Sequence, residues 1–509
     1  MSEGDQASEA DRFELVGRLG SGGNGVVHRV LDHVRGEEVA LKTLSLRGAR
    51  EIYRFKREFR SLGQLVHPNL VQLHELFCVG DEWMFTMELV DGVPFTHWVR
   101  PGGPTGPLDL TRLRDALVQL VDGLAALHAA GKLHRDLKPT NVLVEPSGRV
   151  VILDFGLIAD VHRVDRTHEM MAVGTPSYMS PEQAADRPLT AASDAYAVGA
   201  MLYQALTGRR PFEGDATEVL RAKQLRPPLP PGSLQPGLPV DLETLCLALL
   251  ERDPAARPSD DAILAALGTT RSPWTRRIAE HVAADDDGDD LDAHLEALHD
   301  ALADSRHGAI TVAIVGPARS GKSTLLRRFV DEVRAEQDDT VIFTSRADLR
   351  ERLPLRVTDQ IVDAVCTYLL GLTGPERAAV LPPGASSLAH LFPTARRVPG
   401  LDEPMVPGQD PSTEAMIARA LEALRGILQR IAERHPVVVT IDDAQWVSDG
   451  GRRITGHFTG ADAPRLLLVI THPTEIATES GVLSEATQWN ELRWLRLAAP
   501  RARRPSQES

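Results

Sequence analysis

Two short motifs in the first third of the chain constrain its fold more than any other feature. Residues 134–141 read His-Arg-Asp-Leu-Lys-Pro-Thr-Asn, and residues 154–156 read Asp-Phe-Gly. Six fixed residue types in this order arise by chance in about one chain in 100,000 of this length. Aspartate, lysine and asparagine at these spacings are typical of a loop that orients a hydroxyl group and binds Mg²⁺. The motifs therefore predict phosphoryl-transfer chemistry rather than a solvated surface loop.

Length and composition predict several folded domains in a reducing compartment. At about 150 residues per domain, a chain of 509 residues holds roughly two to four folding units. The net charge of −15 argues against nucleic-acid binding, and three widely spaced cysteines argue against a disulfide framework. No apolar run approaches the roughly 20 residues of a membrane helix. We therefore expect a cytoplasmic protein with no membrane span.

Two features upstream of these motifs fit a nucleotide site. A glycine-rich turn runs through residues 20–25, and glycines let backbone amides approach phosphate oxygens. Lys42 follows at the spacing of a strand lysine that contacts the α/β-phosphates. A helix predicted over residues 50–65 carries Glu58 beside its apolar stripe. Glu58 is the best candidate for an ion pair with Lys42, although Glu51 is also near in sequence.

These residues resemble the catalytic core of eukaryotic-like (Hanks-type) Ser/Thr protein kinases of bacteria. The resemblance implies a bilobal α+β domain over residues 11–268, with a catalytic aspartate at Asp136 that accepts the substrate proton. Lys138 would offset charge on the transferred phosphoryl group, and Asn141 and Asp154 would bind Mg²⁺. The implied catalytic residues are Asp136, Lys138, Lys42 and Glu58.

The same resemblance implies where ATP binds in the first domain. The hinge between the lobes is expected at residues 87–90, with Met87 as the gatekeeper and with adenine meeting backbone groups. The implied nucleotide-binding residues are Gly20, Ser21, Gly22, Gly25, Val27, Lys42, Glu88 and Val90.

Residues 154–182 are expected to form the activation segment of such a kinase. Thr175 stands where the family places a threonine beside the catalytic aspartate, which favours Ser/Thr over Tyr substrates. Thr167 is the predicted autophosphorylation site, because Arg135 precedes the catalytic aspartate and such an arginine often pairs with a phosphorylated loop residue.

Three further residues resemble structural positions of the family. Asp194 is expected to cap the backbone of the catalytic loop. Arg257 is expected to pair with Glu182, and a buried pair of this kind chiefly holds geometry.

A second nucleotide motif follows an acidic linker, which we assign to residues 269–290. Residues 310–315 form an apolar run predicted to be a strand, and Gly-x-x-x-x-Gly-Lys-Ser follows at 316–323. Its backbone would cradle phosphates at a helix N-terminus, with Lys322 reaching the β/γ-phosphates and the Ser323 hydroxyl meeting Mg²⁺. The predicted nucleotide-binding residues of this loop are Gly316, Gly321, Lys322, Ser323 and Thr324.

Another apolar run, residues 437–441, ends in two aspartates. A buried strand would carry them at its carboxyl end, where Asp442 would bind Mg²⁺ and Asp443 could polarise an attacking water. These motifs resemble the AAA-type ATPase domain of signal-transducing (STAND) NTPases, which implies an α/β P-loop domain over residues 291–500. His472 follows the next predicted strand, where relatives usually keep a basic phosphate sensor, and this departure puts hydrolysis in doubt.

The remaining segments carry weaker signals. Residues 372–411 are rich in proline and glycine and are predicted to form a long loop or lid. Residues 1–10 and 501–509 are predicted to be polar tails. STAND proteins continue into helical arms and repeats, and the short C-terminus here is either natural or the product of a truncated reading frame.

The sequence as a whole predicts a Ser/Thr protein kinase of bacterial signalling, fused to a P-loop module that regulates it. The predicted ligands are ATP at two sites and Mg²⁺, and the predicted partners are protein substrates and a second copy of the chain. One alternative is a scaffold, in which a weakly active kinase fold binds ATP and recruits partners. Another makes the STAND-type switch the main function.

Overall fold

The chain is described by a computed structural model and divides into two compact units. Most residues up to Ala283 form the first unit, and most of the later residues form the second. Within the described part of the chain, no helix is both long and apolar enough to cross a membrane. The described residues are 12–22, 25–44, 48–63, 65–79, 82–154, 175–283, 291–317, 320–336, 339–347, 356–402, 413–446, 456–459, 463–474 and 491–497.

The first unit begins with a five-stranded sheet. Its strands are β1 (Phe13–Gly22), β2 (Gly25–Asp32), β3 (Glu37–Leu44), β4 (Leu73–Val79) and β5 (Glu82–Met87). They lie in the order β1-β2-β3-β5-β4, and the β1–β2, β2–β3 and β3–β5 pairs are antiparallel. The predicted glycine-rich turn at residues 20–25 therefore includes the end of β1 and the start of β2, and β3, which carries Lys42, pairs with β2.

Helix α1 (Ala49–Gly63) connects β3 to β4. The predicted apolar stripe is buried, since Ile52, Phe55, Phe59 and Leu62 are each no more than 2% exposed. The rings of Phe55 and Phe59 pack against Phe85 of β5 at centroid distances of 5.8 and 5.5 Å. Apolar burial at helical spacing thus fixes α1 against the sheet.

The rest of the first unit is mainly helical. Its helices are α2 (Phe95–Val99), α3 (Leu110–Ala129), α4 (Pro181–Ala184), α5 (Ala191–Thr207), α6 (Ala216–Leu225), α7 (Pro231–Leu234), α8 (Val240–Leu249), α9 (Asp260–Ala266) and α10 (Pro273–Ala283). A small sheet of β6 (Val93–Pro94), β7 (Val142–Val144) and β8 (Val150–Ile152) lies among them. Asp109 caps the N-terminus of α3, because its side chain accepts a hydrogen bond from the Arg112 amide. The loop predicted to be catalytic lies between α3 and β7.

The linker prediction needs a correction on its N-terminal side. Residues 273–283 form α10, which packs on α3, although the acidic linker was predicted over 269–290. Asp122 of α3 accepts hydrogen bonds from the Ser272 amide (2.9 Å) and the Thr275 hydroxyl (2.8 Å). Burial acts to raise the pKa of Asp122, but hydrogen bonds from His67, Ser272 and Thr275 lower it to about 2. Charge composition alone could not reveal this long-range anchor.

The second unit is built on a parallel five-stranded sheet. Its strands are β9 (Ile310–Gly316), β10 (Val341–Arg346), β11 (Val437–Asp442), β12 (Leu467–Pro473) and β13 (Glu491–Arg496), in the order β10-β11-β12-β9-β13. Every pair is parallel. The accompanying helices are α11 (Leu291–Asp304), α12 (Lys322–Glu336), α13 (Arg356–Gly371), α14 (Gly374–Val380), α15 (Ser387–Leu391) and α16 (Thr413–Ala432).

Helices cover both faces of this sheet. Along β9, Val312 and Ile314 pack into a core shared with α11 and α12, whereas Ala313 and Val315 pack into a core shared with α13 and α16. Alternate strand residues point to opposite faces, so β9 is buried on both sides. This arrangement confirms the α/β class predicted for the second domain.

The prediction of a loop or lid over residues 372–411 was wrong for its described part. Residues 374–380 and 387–391 are helical, and Val380, Leu388 and Phe392 are buried in the core beside α16. Proline and glycine stand at the start of α14 rather than within it, where proline is tolerated. Residues 403–411 of that prediction lie outside the described residues.

Candidate active site

The loop between α3 and β7 is fixed by a buried carboxylate from α5. Asp194 accepts hydrogen bonds from the backbone amides of His134 (2.8 Å) and Arg135 (2.9 Å). Arg135 has a positive φ of 66°, a conformation that costs free energy for a residue with a Cβ. The predicted capping role of Asp194 matches these contacts, which hold the strained turn just before Asp136.

A histidine that sequence reasoning missed supports this carboxylate. His128, near the end of α3, lies between Asp194 (Nε2 to Oδ2, 2.9 Å) and Asp260 (Nδ1 to Oδ2, 2.8 Å). Burial alone would lower the pKa of His128, but hydrogen bonds with the two carboxylates raise it to about 9. The imidazolium therefore joins α3, α5 and α9 beneath the loop.

We expect the free energy of unfolding of the first unit to fall as pH rises from 6.5 to 9. Because the folded-state pKa of His128 lies above its usual 6.5, its stabilisation is complete below pH 6.5 and is lost through pH 9. At about 1.4 kcal/mol per pKa unit, the loss approaches about 3 kcal/mol. Thermal unfolding of the wild type and His128→Gln between pH 6 and 9.5 checks this. A gap between the two proteins that stays constant over this range would contradict it.

The chemistry-bearing side chains of the loop converge on Asp136. Lys138 Nζ donates to Asp136 Oδ2 (2.8 Å), and Asn141 Nδ2 donates to the Asp136 carbonyl (2.8 Å). Since its side-chain nitrogen is engaged, the side-chain oxygen Oδ1 of Asn141 is the atom that can bind a metal ion. The backbone amide of Leu153 donates to the backbone carbonyl of Asn141 (2.8 Å), which brings Asp154 beside the loop. Two oxygen donors suited to Mg²⁺ thus lie next to the aspartate.

Lys42 reaches this cluster from the sheet. Its Nζ lies 2.5 Å from Asp154 Oδ1, and its side chain is buried. In the sheet register Lys42 stands opposite Val27 of the glycine-rich hairpin. The structure therefore brings Lys42, Asp154, Asn141 and Asp136 together.

Glu58 does not pair with Lys42, which corrects the prediction for this ion pair. Both carboxylate oxygens of Glu58 instead lie 3.2 Å from Lys132 Nζ. Lys42 pairs with Asp154 instead of the predicted Glu58, and Glu58 pairs with Lys132, for which no partner was predicted. Phosphoryl transfer in kinases uses the lysine–glutamate pair, and this arrangement lacks it.

We expect Lys132→Met to raise the transfer rate of the unphosphorylated chain. The variant releases Glu58, which can then pair with Lys42. A partly exposed pair is worth about 0.2–1 kcal/mol, so the population of the Lys42–Glu58 pair should rise by roughly 1.4- to fivefold. Initial rates with phosphatase-treated protein measure the effect, with Lys132→Arg as the charge-preserving control. An unchanged or lower rate for Lys132→Met would count against the exchange.

The glycine-rich strands pack closely against β3 at Gly25. Gly20, Ser21 and Gly22 pair with Val27, Val26 and Gly25. Gly25 has a φ of +128°, and a Cβ there would lie 1.8 Å from the Thr43 carbonyl oxygen. Any side chain at Gly25 would therefore push β2 away from β3, next to Lys42.

The predicted hinge joins β5 to the helical part. Met87 is buried, whereas Glu88 and Val90 are half-buried. The Glu88 amide donates to the Gln72 carbonyl (2.9 Å), so this amide is already engaged within the chain. The Glu88 carboxylate pairs with Arg149 (2.5 Å).

The middle of the predicted activation segment is not described. Phe155, Gly156 and Thr167 lie outside the described residues, and the next described residues form a short 3₁₀ turn at Thr175–Ser177.

The predicted pair of Glu182 and Arg257 is formed through two contacts, of 2.7 and 2.8 Å.

The second candidate site lies where β9 leads into α12. Gly321 has a φ of +84°, and a Cβ on Gly316 would approach Ser320 Oγ to 2.4 Å. Lys322 Nζ donates to the carbonyls of Gly316 (2.9 Å) and Pro317 (2.7 Å). Thr324 Oγ1 is buried and has no hydrogen-bond partner among the described residues, as expected of a hydroxyl placed for a phosphate.

Ser323 and Asp442, the two predicted Mg²⁺ ligands of this site, are in contact. Ser323 Oγ donates to Asp442 Oδ1 (3.0 Å), and Thr471 Oγ1 donates to the same oxygen (2.5 Å). Burial raises the pKa of Asp442, and Arg346 opposes that rise. Thr471, which sequence reasoning missed, orients the carboxylate from the neighbouring strand.

Two residues that bear on hydrolysis are Asp443, predicted to polarise the attacking water, and His472, which stands where relatives keep a basic phosphate sensor. Asp443 Oδ2 lies 2.7 Å from Arg346 Nη2, so this carboxylate is held by a guanidinium. His472 is fully buried, and its pKa is lowered chiefly by burial. A neutral His472 cannot supply the positive charge of a basic phosphate sensor.

Comparisons with known proteins match both halves of the chain. The family model described as "Protein kinase domain" matches residues 13–269, and the one described as "AAA ATPase domain" matches residues 291–470. Serine/threonine-protein kinase Pkn1 of Myxococcus xanthus is 38% identical over 282 residues, covering 53% of this chain and 39% of Pkn1. Serine/threonine-protein kinase PknA of Mycobacterium tuberculosis is 35% identical over 278 residues, covering 52% of this chain and 63% of PknA. The chain thus spans 39% and 63% of the length of these two relatives.

Proposed function

The chain belongs to the protein kinase family, and from that premise we propose that it transfers the γ-phosphate of ATP to Ser/Thr hydroxyls of protein substrates in bacterial signalling. The observation that carries the proposal is the cluster in which Lys42 meets Asp154 while Lys138 and Asn141 meet Asp136. Phosphoryl transfer needs mainly positioning and charge neutralisation, and this cluster offers both.

Each residue of the cluster has a distinct part in the proposed reaction. Asp136 accepts a hydrogen bond from the substrate hydroxyl and takes its proton as the new O–P bond forms and the bond to ADP breaks. Lys138, now 2.8 Å from Asp136, offsets charge on the transferred group. Lys42 holds the α/β-phosphates beneath the glycine-rich strands.

Asn141 and Asp154 would hold Mg²⁺. Both present oxygen atoms, the donors that Mg²⁺ prefers, and the Asp154 side chain is 37% exposed. When bound there, the ion would neutralise charge on the β- and γ-phosphates.

We extend the proposal to autophosphorylation at Thr167, which would add negative charge that Arg135 can pair with. We also extend it to dimerisation of the chain.

For the second unit we propose nucleotide binding that regulates the kinase. Support comes from the Lys322 loop and from the Ser323–Asp442 contact of 3.0 Å. Arg346 on Asp443 and the buried His472 favour a slowly hydrolysing binding module over a rapid ATPase.

Transfer of labelled phosphate by the purified full chain tests the proposal. We expect acid-stable label on serine and threonine, lost in Lys42→Met and retained in Lys322→Ala. Loss of transfer in Lys322→Ala with retention in Lys42→Met would show that the second unit, and not the first, carries out the transfer. If the chain binds ATP and a partner but no protein is labelled, the scaffold alternative is correct.

A further inference from the structure

An arginine is fixed at the end of strand β10, beside the second candidate site. β10 is the outer strand of the described sheet, and β11 is its neighbour there. On the other side, the buried Gln360 of α13 replaces a strand. Its Oε1 accepts from the Arg346 amide (2.7 Å), and its Nε2 donates to the Arg346 carbonyl (2.5 Å). These two hydrogen bonds hold the Arg346 backbone at the carboxyl end of the sheet, where nucleotides bind in such folds.

The guanidinium of Arg346 meets both aspartates at the end of β11. Its Nε and Nη2 lie 2.8 and 2.7 Å from Asp443 Oδ2, and Nε lies 3.6 Å from Asp442 Oδ2. Asp442 Oδ1 in turn accepts from Ser323 Oγ (3.0 Å), the hydroxyl predicted to meet Mg²⁺. The donors of Arg346 are therefore one carboxylate away from the expected place of the ion and of the phosphates it binds.

The pair of Arg346 and Asp443 can be exchanged at little cost. The Arg346 side chain is 45% exposed and that of Asp443 is 25% exposed. Water screens ion pairs of this kind, so they contribute little to stability. A terminal phosphate carries more negative charge than a carboxylate, and the planar guanidinium can bind it through two hydrogen bonds. A triphosphate placed beside Asp442 would therefore compete with Asp443 for Arg346.

The position where relatives keep a basic phosphate sensor cannot supply this charge. It holds His472 on β12, which is fully buried and whose Nδ1 lies 2.8 Å from the Pro473 carbonyl. β10 and β12 flank β11 on opposite sides. Arg346 thus brings a cation to the same end of β11 from the opposite side.

We propose that Arg346 is the residue by which the second unit distinguishes ATP from ADP. It pairs with Asp443 when no triphosphate is bound, and with the terminal phosphate when ATP is bound. Asp443 is then released to polarise a water only in the presence of ATP. The inference rests on the nucleotide binding proposed for the second unit and names how that site recognises its nucleotide.

Equilibrium binding to the full chain tests the inference. The probes are fluorescent derivatives of ADP and of a non-hydrolysable ATP analogue, each with Mg²⁺. Every protein carries Lys42→Met, and Lys322→Ala in that background measures the signal that does not come from the second site. We expect Arg346→Gln to weaken binding of the ATP analogue about tenfold and that of ADP by less than about twofold, because ADP lacks the terminal phosphate. Arg334→Gln on α12, at a side chain that is 56% exposed, is the matched control and should bind both probes as its parent does.

Asp443→Asn should have the opposite effect, because it releases Arg346 without a nucleotide. We expect binding of the ATP analogue to strengthen roughly two- to fivefold, with a smaller change for ADP. This gain should disappear when Arg346→Gln is also present. An equal gain in both backgrounds would show that only the removal of a negative charge matters, and it would overturn the inference.

Arg346→Lys is a further variant, should Arg346→Gln fail to fold. Lysine keeps the charge but lacks the fork of donors, and we expect a loss of about threefold for the ATP analogue alone. Equal weakening of both probes by either variant would indicate a merely structural role and would overturn the inference. If Lys322→Ala binds both probes as its parent does, the nucleotide binding proposed for the second unit is refuted, and the inference with it.

Discussion

Asp136→Asn is expected to lower kcat for phosphate transfer by about 10²–10⁴-fold, the usual contribution of a positioned proton acceptor. Asparagine has the same shape as aspartate but cannot take up the hydroxyl proton, and its amide no longer attracts Lys138. The KM for ATP should change by no more than a few-fold, because the contacts proposed for ATP and Mg²⁺ lie on Lys42, Asn141 and Asp154. Initial rates with labelled ATP measure both quantities.

The matched control for this prediction is Asp115→Asn. Asp115 is exposed on α3, so the change removes one negative charge from the same unit without touching the loop. It should keep wild-type rates. Transfer by Asp136→Asn at a rate near that of Asp115→Asn would disprove the role assigned to Asp136.

Arg257→Met is expected to destabilise the first unit by about 3–5 kcal/mol, because it leaves a buried carboxylate without its partner. The Arg257 side chain is fully buried, and its guanidinium meets both oxygens of Glu182 at 2.7 and 2.8 Å. It also donates to the carbonyls of Ala192 (2.7 Å) and Glu251 (2.7 Å), which would lose these donors. Urea unfolding of the full chain measures the change in the free energy of unfolding.

A double-variant cycle separates the ion pair from the other contacts of Arg257. Burial acts to raise the pKa of Glu182, and Arg257 lowers it, so Glu182→Gln removes a charge that is costly only when unpaired. Arg257→Met with Glu182→Gln should therefore be less destabilised than the sum of the single variants. Additive effects, or a loss below 1 kcal/mol for Arg257→Met, would contradict the account.

Local patterns predicted most of the fold. Apolar spacing gave α1 to within two residues at each end, because a buried helical stripe leaves a direct periodic signal. Apolar runs likewise gave the buried strands β9 and β11. The segment after α13 was misjudged because proline and glycine at helix starts look like loop composition.

Contacts between distant residues could not be predicted in the same way. Glu58 pairs with Lys132, 74 residues away in sequence, rather than with Lys42. Sequence spacing does not show which of the two lysines the fold brings close to Glu58. His128 and Lys223 each stand in ordinary amphipathic helices. The folded chain brings two carboxylates within 3 Å of His128 and a backbone carbonyl within 3 Å of Lys223, and helix periodicity does not predict these contacts. Pairing of this kind is a property of the folded chain.

The proposed kinase function depends most on one ATP being held between Lys42, Asn141 and Asp154 with its terminal phosphate facing Asp136. Anomalous scattering from Mn²⁺, in crystals grown with a non-hydrolysable ATP analogue, tests this most directly. We predict a manganese peak within bonding distance of oxygen atoms of both Asn141 and Asp154, with the γ-phosphate toward Asp136. A peak at Ser323 and Asp442 alone, with no metal or nucleotide beside Asp154, would contradict it.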